Sequence, residues 1–321
     1  MNGRHRVTYP AVAKAPWPLR LPEDTAPAEV ERLRAQVDVL AAAAQYGWGH
    51  TIDFGPFRRS GLLGDKYLRV AAVLDAWSWW PASLTGVAAA DVGCFTGGLS
   101  ALMAARGAER VEAVDEVPEH LDQCALVAGA FGLGTVRTHR ASLYELPAVL
   151  APASLDLIVL SGVLYHLSDM LVGLVACQQL LKPGGVLIVE SNAVECHDHS
   201  YANFGRFVGG MWWQPTAMCI ADLCEHSGFT RPEVRFYQPG RALARVVKPA
   251  GATVAFTRGM HWHFDDLRDQ QERGLDPAEL APAPCHHAEL GMLSRSLVQA
   301  GERALRVPMS LGYRWRHRTR R

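Results

Sequence analysis

Three residues with chemical potential stand close together in Ala88-Ala89-Ala90-Asp91-Val92-Gly93-Cys94-Phe95-Thr96-Gly97-Gly98: the acid Asp91 and the glycines Gly93 and Gly97. The run is apolar until it breaks into a glycine-rich turn. A turn built on residues without Cβ lets the backbone come close to a bound molecule. A second apolar run, Val111-Glu112-Ala113-Val114, ends in Asp115. A carboxylate in that place can accept both hydroxyls of a ribose. Together these features meet the needs of nucleoside binding at the carboxyl edge of a parallel sheet.

The order of residues narrows the nucleoside. A dinucleotide site uses G-x-G-x-x-G and rests a pyrophosphate on a helix N-terminus. Here the order is Asp91-x-Gly93-x-x-x-Gly97, and an acid in front repels phosphate but suits a cation or an amine. S-adenosylmethionine carries a sulfonium, an ammonium and no phosphate. The pattern, followed by a ribose-binding acid, resembles that of the class I S-adenosylmethionine-dependent methyltransferases. The plain alternative is an ordinary βαβ turn of another α/β protein. The resemblance implies that Asp91, Gly93, Cys94 and Gly97 shape the methionine pocket and Asp115 holds the ribose. Ser142 and Leu143, after the third strand, then meet the adenine edge, unless Ser142 is simply a loop serine.

Other groups fall where such a sheet needs them. The strand Leu155–Leu160 runs into Ser161-Gly162-Val163-Leu164-Tyr165-His166-Leu167, and groups just after it face the transferable methyl. Ser161 is expected on the cofactor. Tyr165 and His166 are the best-placed polar groups; His166 suits a general base because its ordinary pKa is near neutrality, or it caps the next helix. Glu190 ends the fifth strand and is expected as a base or a substrate anchor. Leu181-Lys182-Pro183-Gly184-Gly185 is turn chemistry, with Lys182 structural. Trp212, Trp213 and Trp48 are expected at the mouth, stacking on a planar substrate; the paired tryptophans otherwise plug the top of the sheet.

A narrower resemblance rests on Gly162-Val163-Leu164-Tyr165-His166, Leu187-Ile188-Val189-Glu190, Trp213-x-Pro215 and Ser227-Gly228-Phe229. Over roughly residues 48–240 the chain is similar to the bacterial tRNA wobble-uridine carboxymethyltransferases, and His50-Thr51-Ile52-Asp53 is similar to the segment before that family's core. The resemblance implies a carboxylated S-adenosylmethionine whose extra carboxylate meets basic and hydroxyl groups, at positions like those of Lys66 and Tyr165. The family's Trp-Lys-Trp is Asp65-Lys66-Tyr67 here, so Lys66 alone is unchanged. That family also has a basic surface.

These groups require a regular scaffold. From about residue 86 the pattern alternates strand and helix, which implies a parallel sheet. Strands are expected near 87–92, 110–115, 135–140, 155–160, 185–191, 232–237 and 243–256. Helices are expected near 97–106, 117–131, 169–182 and 215–227, preceded by Pro27–Gln45 and Leu62–Trp80. The fold class is α/β: a doubly wound, Rossmann-like, mostly parallel seven-stranded sheet with a helical N-terminal cap and a C-terminal extension. The expected divisions are an arm and cap over 1–83, the core over 84–256, and an extension with a basic tail over 257–321.

Composition sets the outer limits. With 321 residues, 49% hydrophobic and 20% charged, the chain has ample length for a buried core. No apolar run reaches the ~18–20 residues of a membrane span, and the N-terminus lacks a signal-peptide pattern, so a cytoplasmic address without membrane contact is expected. Seven cysteines without a C-x-x-C pair point to reduced thiols. Formal net charge is zero, against a surface built for nucleic acid, except for seven arginines without an acid after residue 303 if Arg303 is counted with them. Cys196-His197-Asp198-His199, His261-x-His263 and Cys285-His286-His287 are spaced too loosely to specify a metal, and none is expected. The leading expectation is methyl transfer to a small organic molecule, such as a specialised metabolite. Its rivals are methyl or carboxymethyl transfer to tRNA, cleavage or cyclisation of S-adenosylmethionine releasing methylthioadenosine, and a catalytically silent scaffold.

Overall fold

The apolar runs after Gly86 assemble into one seven-stranded sheet whose central strands are buried on both faces. The computed structural model of the protein describes residues 9–251. Before the sheet come α1 (Pro27–Ala43), a small hairpin of β1 (Ile52–Asp53) and β2 (Arg58–Arg59), and α2 (Lys66–Ala76). Then follow β3 (Ala88–Val92), α3 (Gly98–Ala105), β4 (Arg110–Asp115), α4 (Pro118–Ala130), β5 (Val136–Arg140), the short α5 (Leu146–Val149), β6 (Leu155–Ser161), α6 (Met170–Leu180) and β7 (Leu181–Asn192). A second hairpin, β8 (Ala202–Val208) and β9 (Met211–Pro215), leads into α7 (Ala217–His226), β10 (Val234–Gln238) and β11 (Arg241–Val247).

The strand order is β10-β11-β7-β6-β3-β4-β5, with β11 antiparallel to both its neighbours and β7 to β5 parallel. Both faces are covered, so the central strands read as continuous apolar runs. Ile158, Val159 and Leu160 are all fully buried. Ile158 and Leu160 face the layer holding α6 and α7, while Leu157, Val159 and Ile188 face the layer holding α1 and α2. The expected doubly wound sheet is therefore present.

Residues before the sheet belong to the same core. Val37, Trp48, Ile52, Phe54 and Leu74 share a buried cluster with Leu157 and Ile188. Phe54 lies against Phe57 and Phe131 with ring centroids 4.7 and 5.4 Å apart.

Three elements depart from expectation. The helix expected over 62–80 covers only Lys66–Ala76. Ahead of it, the amides of Leu62 and Leu63 donate to the carbonyls of Trp48 and Gly49 and so are diverted from a helix. Behind it, Ser78 takes a left-handed backbone (φ +53) that ends the helical path. The last strand stops at Val247 because the buried Lys248 turns inward, its Nζ donating to the carbonyls of Gln178 and Leu181 at 2.8 Å at the end of α6. Trp212 and Trp213, for which no strand is expected, lie in β9. Residues expected beyond 251, including the end of that last strand, fall outside the described ones.

If the segment before the sheet is integral to the core, Phe54→Ala lowers the unfolding free energy by about 3–5 kcal/mol. Urea unfolding measures it; a loss below about 1 kcal/mol would mean that the segment is only laid on the surface.

Candidate active site

The chain fills β3, β4 and β5 on one side and then returns to place β6 on the other side of β3. The crevice above the carboxyl ends of β3 and β6 is thus the topological switch point, where open α/β sheets bind their ligands. Gly93 leaves β3 with φ +75, and a Cβ there would sit 2.3 Å from the Val163 side chain beyond β6. Gly97 has φ +77, and a Cβ there would meet Cys124 Sγ at 2.5 Å. Both positions therefore exclude side chains, by backbone angle and by space. Between them Phe95 also adopts a left-handed backbone (φ +51).

Asp115 at the end of β4 holds that conformation. Its Oδ2 accepts the Phe95 amide at 3.0 Å, and its Oδ1 accepts the Val117 amide at 3.0 Å and lies 3.2 Å from His120 Nδ1. A carboxylate has about four lone-pair positions; three are engaged, which leaves one on Oδ2. As held here, Asp115 offers one open position to a ribose, where the sequence suggested two. Asp91 is buried beneath the turn and accepts the Ser100 hydroxyl at 2.6 Å. Burial pushes its carboxyl up to about 6, against the Ser100 hydrogen bonds. A cation above the turn would favour its ionised form. The chemistry of this set fits S-adenosylmethionine: a side-chain-free cradle at Gly93 and Gly97, an acid at each strand end, and no cluster of basic groups for a phosphate.

The segment 48–51 closes over the turn from the other side. Thr96 Oγ1 accepts the amides of Gly49 and His50 at 3.0 and 3.1 Å and donates to Gln123 Oε1 at 3.0 Å. The Gln123 amide in turn donates to the Gly47 carbonyl at 2.9 Å. His50 Nδ1 accepts the Gly98 amide at 3.2 Å, which fixes the tautomer with hydrogen on Nε2. Burial drives the His50 pKa down to about 4, with His120 adding to the effect and Asp115 opposing it, so the ring is neutral at pH 7.

The groups after β6 meet the β8–β9 hairpin. His166 Nδ1 lies 2.6 Å from the Gly210 carbonyl oxygen. A carbonyl only accepts, so Nδ1 carries the hydrogen and Nε2 keeps its lone pair. Desolvation lowers the His166 pKa; the Gly210 carbonyl raises it and the Arg241 charge lowers it, with a net shift downward. Trp213 Nε1 donates to the Ser168 carbonyl at 3.0 Å, and Gln214 Nε2 to Asn192 Oδ1 at 2.8 Å. The hairpin is thereby fastened beside the β6 and β7 ends, with Trp212 near Phe204 and Phe207 on it.

Glu190, expected as a base or substrate anchor, is a buried counter-ion instead. Oε1 accepts from Arg241 Nε and the Tyr237 hydroxyl, both at 2.7 Å; Oε2 accepts from Arg241 at 2.5 Å and from Ser161 Oγ at 3.4 Å. Burial opposes the Arg241 charge, but Glu190 overrides it and raises the pKa. The guanidinium also lies 5.1 Å from the Tyr165 ring. Arg241 was missed because the last strand was read as starting at 243; in register it faces Asn192, diagonal to Glu190. Ser161 is accordingly tied to Glu190.

Other expected residues have definite places. Cys94 is buried in the turn beside Cys124. Ser142 caps the turn after β5, its Oγ accepting the Tyr144 amide at 3.4 Å while Glu145 accepts the Ser142 amide at 3.3 Å; Leu143 is buried behind it. Lys66 is exposed at the start of α2. Trp48 is corrected: it lies in the core, 3% exposed, and is not at the mouth, because its indole packs in the cluster of Val37, Ile52 and Phe54. His197 packs edge-on against Phe236 and Cys196 donates to the His199 carbonyl; the 261–263 and 285–287 clusters and the basic tail lie outside the described residues. Among the described residues no helix is long and apolar enough to cross a membrane.

Residues 90–189 match the family described as a methyltransferase domain. The chain is 32% identical over 186 residues to the ubiquinone biosynthesis O-methyltransferase of Cereibacter sphaeroides, covering 56% of this chain and 72% of that protein. It is 28% identical over 258 residues to the tRNA U34 carboxymethyltransferase of Azotobacter vinelandii, covering 72% and 69%. Among solved structures, the 4+2 cyclase SpnF superposes with a TM-score of 0.50 at 16% identity, over 68% of this chain and 94% of that one, a likeness of fold alone.

Asp115→Ala removes the carboxylate at the end of β4 and frees the Phe95 amide. Hydrogen bonds to charged groups contribute about 1.5–3 kcal/mol, so S-adenosylhomocysteine affinity by calorimetry should fall by about 10- to 100-fold; an unchanged affinity would remove Asp115 from the site.

Proposed function

The chain belongs to the class I S-adenosylmethionine-dependent methyltransferases, and from that premise we propose that it methylates a hydroxyl of a small organic acceptor held between the β6 end and the aromatic hairpin. Bound S-adenosylmethionine supplies an electrophilic methyl group. The turn at Gly93–Gly97, Asp91, Asp115 and the Ser142–Leu143 corner hold the donor; Tyr165, Trp212 and Trp213 hold the acceptor. In this reading the protein's main contribution is alignment of donor and nucleophile at near-attack distance.

The observation that carries the reading is the tautomer of His166. With Nδ1 bound to the Gly210 carbonyl, Nε2 has a free lone pair on a ring whose pKa is lowered. That is the state a general base needs: uncharged at pH 7 and able to take the acceptor's proton. Glu190 is fully engaged with Arg241, which leaves His166 as the proton acceptor. The name of the Cereibacter relative, an O-methyltransferase, supports oxygen as the acceptor atom.

A second reading is modification of tRNA, with a methyl or a carboxymethyl group. It is supported by the Azotobacter relative, by Arg241 beside Tyr165, and by the exposed Arg137 and Arg140 on the edge strand β5. Lys66 would then contact the extra carboxylate of the donor.

Incubation of the protein with S-adenosylmethionine and candidate acceptors, read by mass spectrometry, separates these readings. A gain of one methyl on a small hydroxylated acceptor, with S-adenosylhomocysteine, supports the first. Carboxylated donor in the purified protein, or label in tRNA, supports the second; methylthioadenosine formed without acceptor contradicts both. On the first reading, the rate rises with pH through a pKa below the ordinary histidine value and is flat above neutrality. His166→Gln should cost about 100-fold or more in kcat and abolish that limb. A variant with full activity would exclude the base.

A further inference from the structure

The amino-terminal edge of the sheet, opposite the active site, holds a cavity of about 810 Å3 between the end of α2, the starts of β3, β6 and β7, and β11. Trp79, Trp80, Leu84, Leu157 and Val186 supply its apolar wall. That volume lies within the range of small-molecule sites, which pair an apolar lining with a few polar groups. The active-site residues sit at the other ends of these strands, so this is a separate place.

The charges lining the cavity are unequally satisfied. Asp75 accepts from both terminal nitrogens of Arg106 at 2.9 and 2.8 Å and from the Trp80 indole at 2.7 Å. Asp156 accepts from Lys182 with both oxygens at 2.8 Å and from the Ala88 amide at 3.0 Å. Arg245 differs: its Nε donates to the Trp79 carbonyl at 3.1 Å, and its two terminal nitrogens have no protein partner among the described residues. A guanidinium stays charged and presents its donors in a planar fork that matches a carboxylate. The cavity therefore has two neutralised acids and one cation with open donors.

The aromatic wall is held in place. Arg106 lies 4.4 Å from the Trp80 ring, Arg235 lies 5.5 Å from the Trp77 and Trp79 rings, and those two indoles are 4.8 Å apart. Ser78 joins them with φ +53, a conformation that costs a non-glycine residue energy and persists only where its surroundings impose it. The same residue that ends α2 early thus turns the tryptophans onto the cavity.

We propose that this cavity is a second binding site, for a small aromatic carboxylate or sulfonate: the anion on the terminal nitrogens of Arg245 and the flat body against Trp79 and Trp80. It rests on charge complementarity and volume and does not depend on the acceptor at the carboxyl edge.

The test titrates the full chain with 8-anilinonaphthalene-1-sulfonate, read by its fluorescence and by calorimetry. One molecule per chain should bind, with affinity unchanged by saturating S-adenosylhomocysteine and by Trp212→Ala. Arg245→Gln should weaken it at least tenfold and Arg245→Lys should retain it, each variant having first been shown to bind S-adenosylhomocysteine normally. The uncharged N-phenyl-1-naphthylamine should bind at least tenfold more weakly. Absence of saturable binding, displacement by S-adenosylhomocysteine, or equal affinity in Arg245→Gln would overturn the proposal.

Discussion

The structure depends on one backbone shape: the left-handed turn from Gly93 to Gly97. An L-residue such as Phe95 adopts it at a cost, so the turn must be held from outside. Asp115 holds it from the sheet through the Phe95 amide, and the segment before the core holds it from above through Thr96 and His50. The same contacts set the Asp115 carboxylate at the end of β4 beside the turn, with Asp91 buried beneath it. Residues far apart in the chain are thus brought to one site because a strained turn requires them.

Electrostatics divides the site into two regions. Near the turn, Asp91 and Asp115 supply negative character without a bound guanidinium, which suits a sulfonium and an ammonium. Across the crevice, Glu190 and Arg241 cancel one another in a buried pair. Such a pair adds little net stability, but removing one partner leaves a buried charge and costs about 3–5 kcal/mol. Its role here is geometric: it fixes the β7 and β11 ends and places the guanidinium against Tyr165. His166 is then left as the neutral, basic group at the β6 end.

Much of this was legible in the sequence, for physical reasons. Strands covered on both faces give largely apolar runs, so β3, β4 and β6 stand out, and the glycines at 93 and 97 match the positive φ angles found there. What was hidden depends on long-range pairing. Glu190 looks like a free acid until Arg241, which lies beyond a turn, comes into diagonal register with it. Trp48 reads as a mouth residue until the segment before the sheet folds and packs its indole with Val37, Ile52 and Phe54. The cap that Ser142 forms on the turn after β5, with its Oγ accepting the Tyr144 amide, also needs the folded turn to be seen. His166 needed the hairpin: the Gly210 carbonyl, 44 residues on in the chain, decides its tautomer.

The Gly93–Gly97 turn is held in shape by protein contacts alone, before any cofactor binds. Amide hydrogen exchange of the free protein at Phe95, Gly97 and Gly98 tests it most directly, since these amides donate to Asp115, to the Cys94 carbonyl and to His50. All three should exchange slowly without ligand and gain less than about tenfold further protection with saturating S-adenosylhomocysteine. Free exchange of the three amides until ligand is added would show that the cofactor organises the turn, and would contradict it.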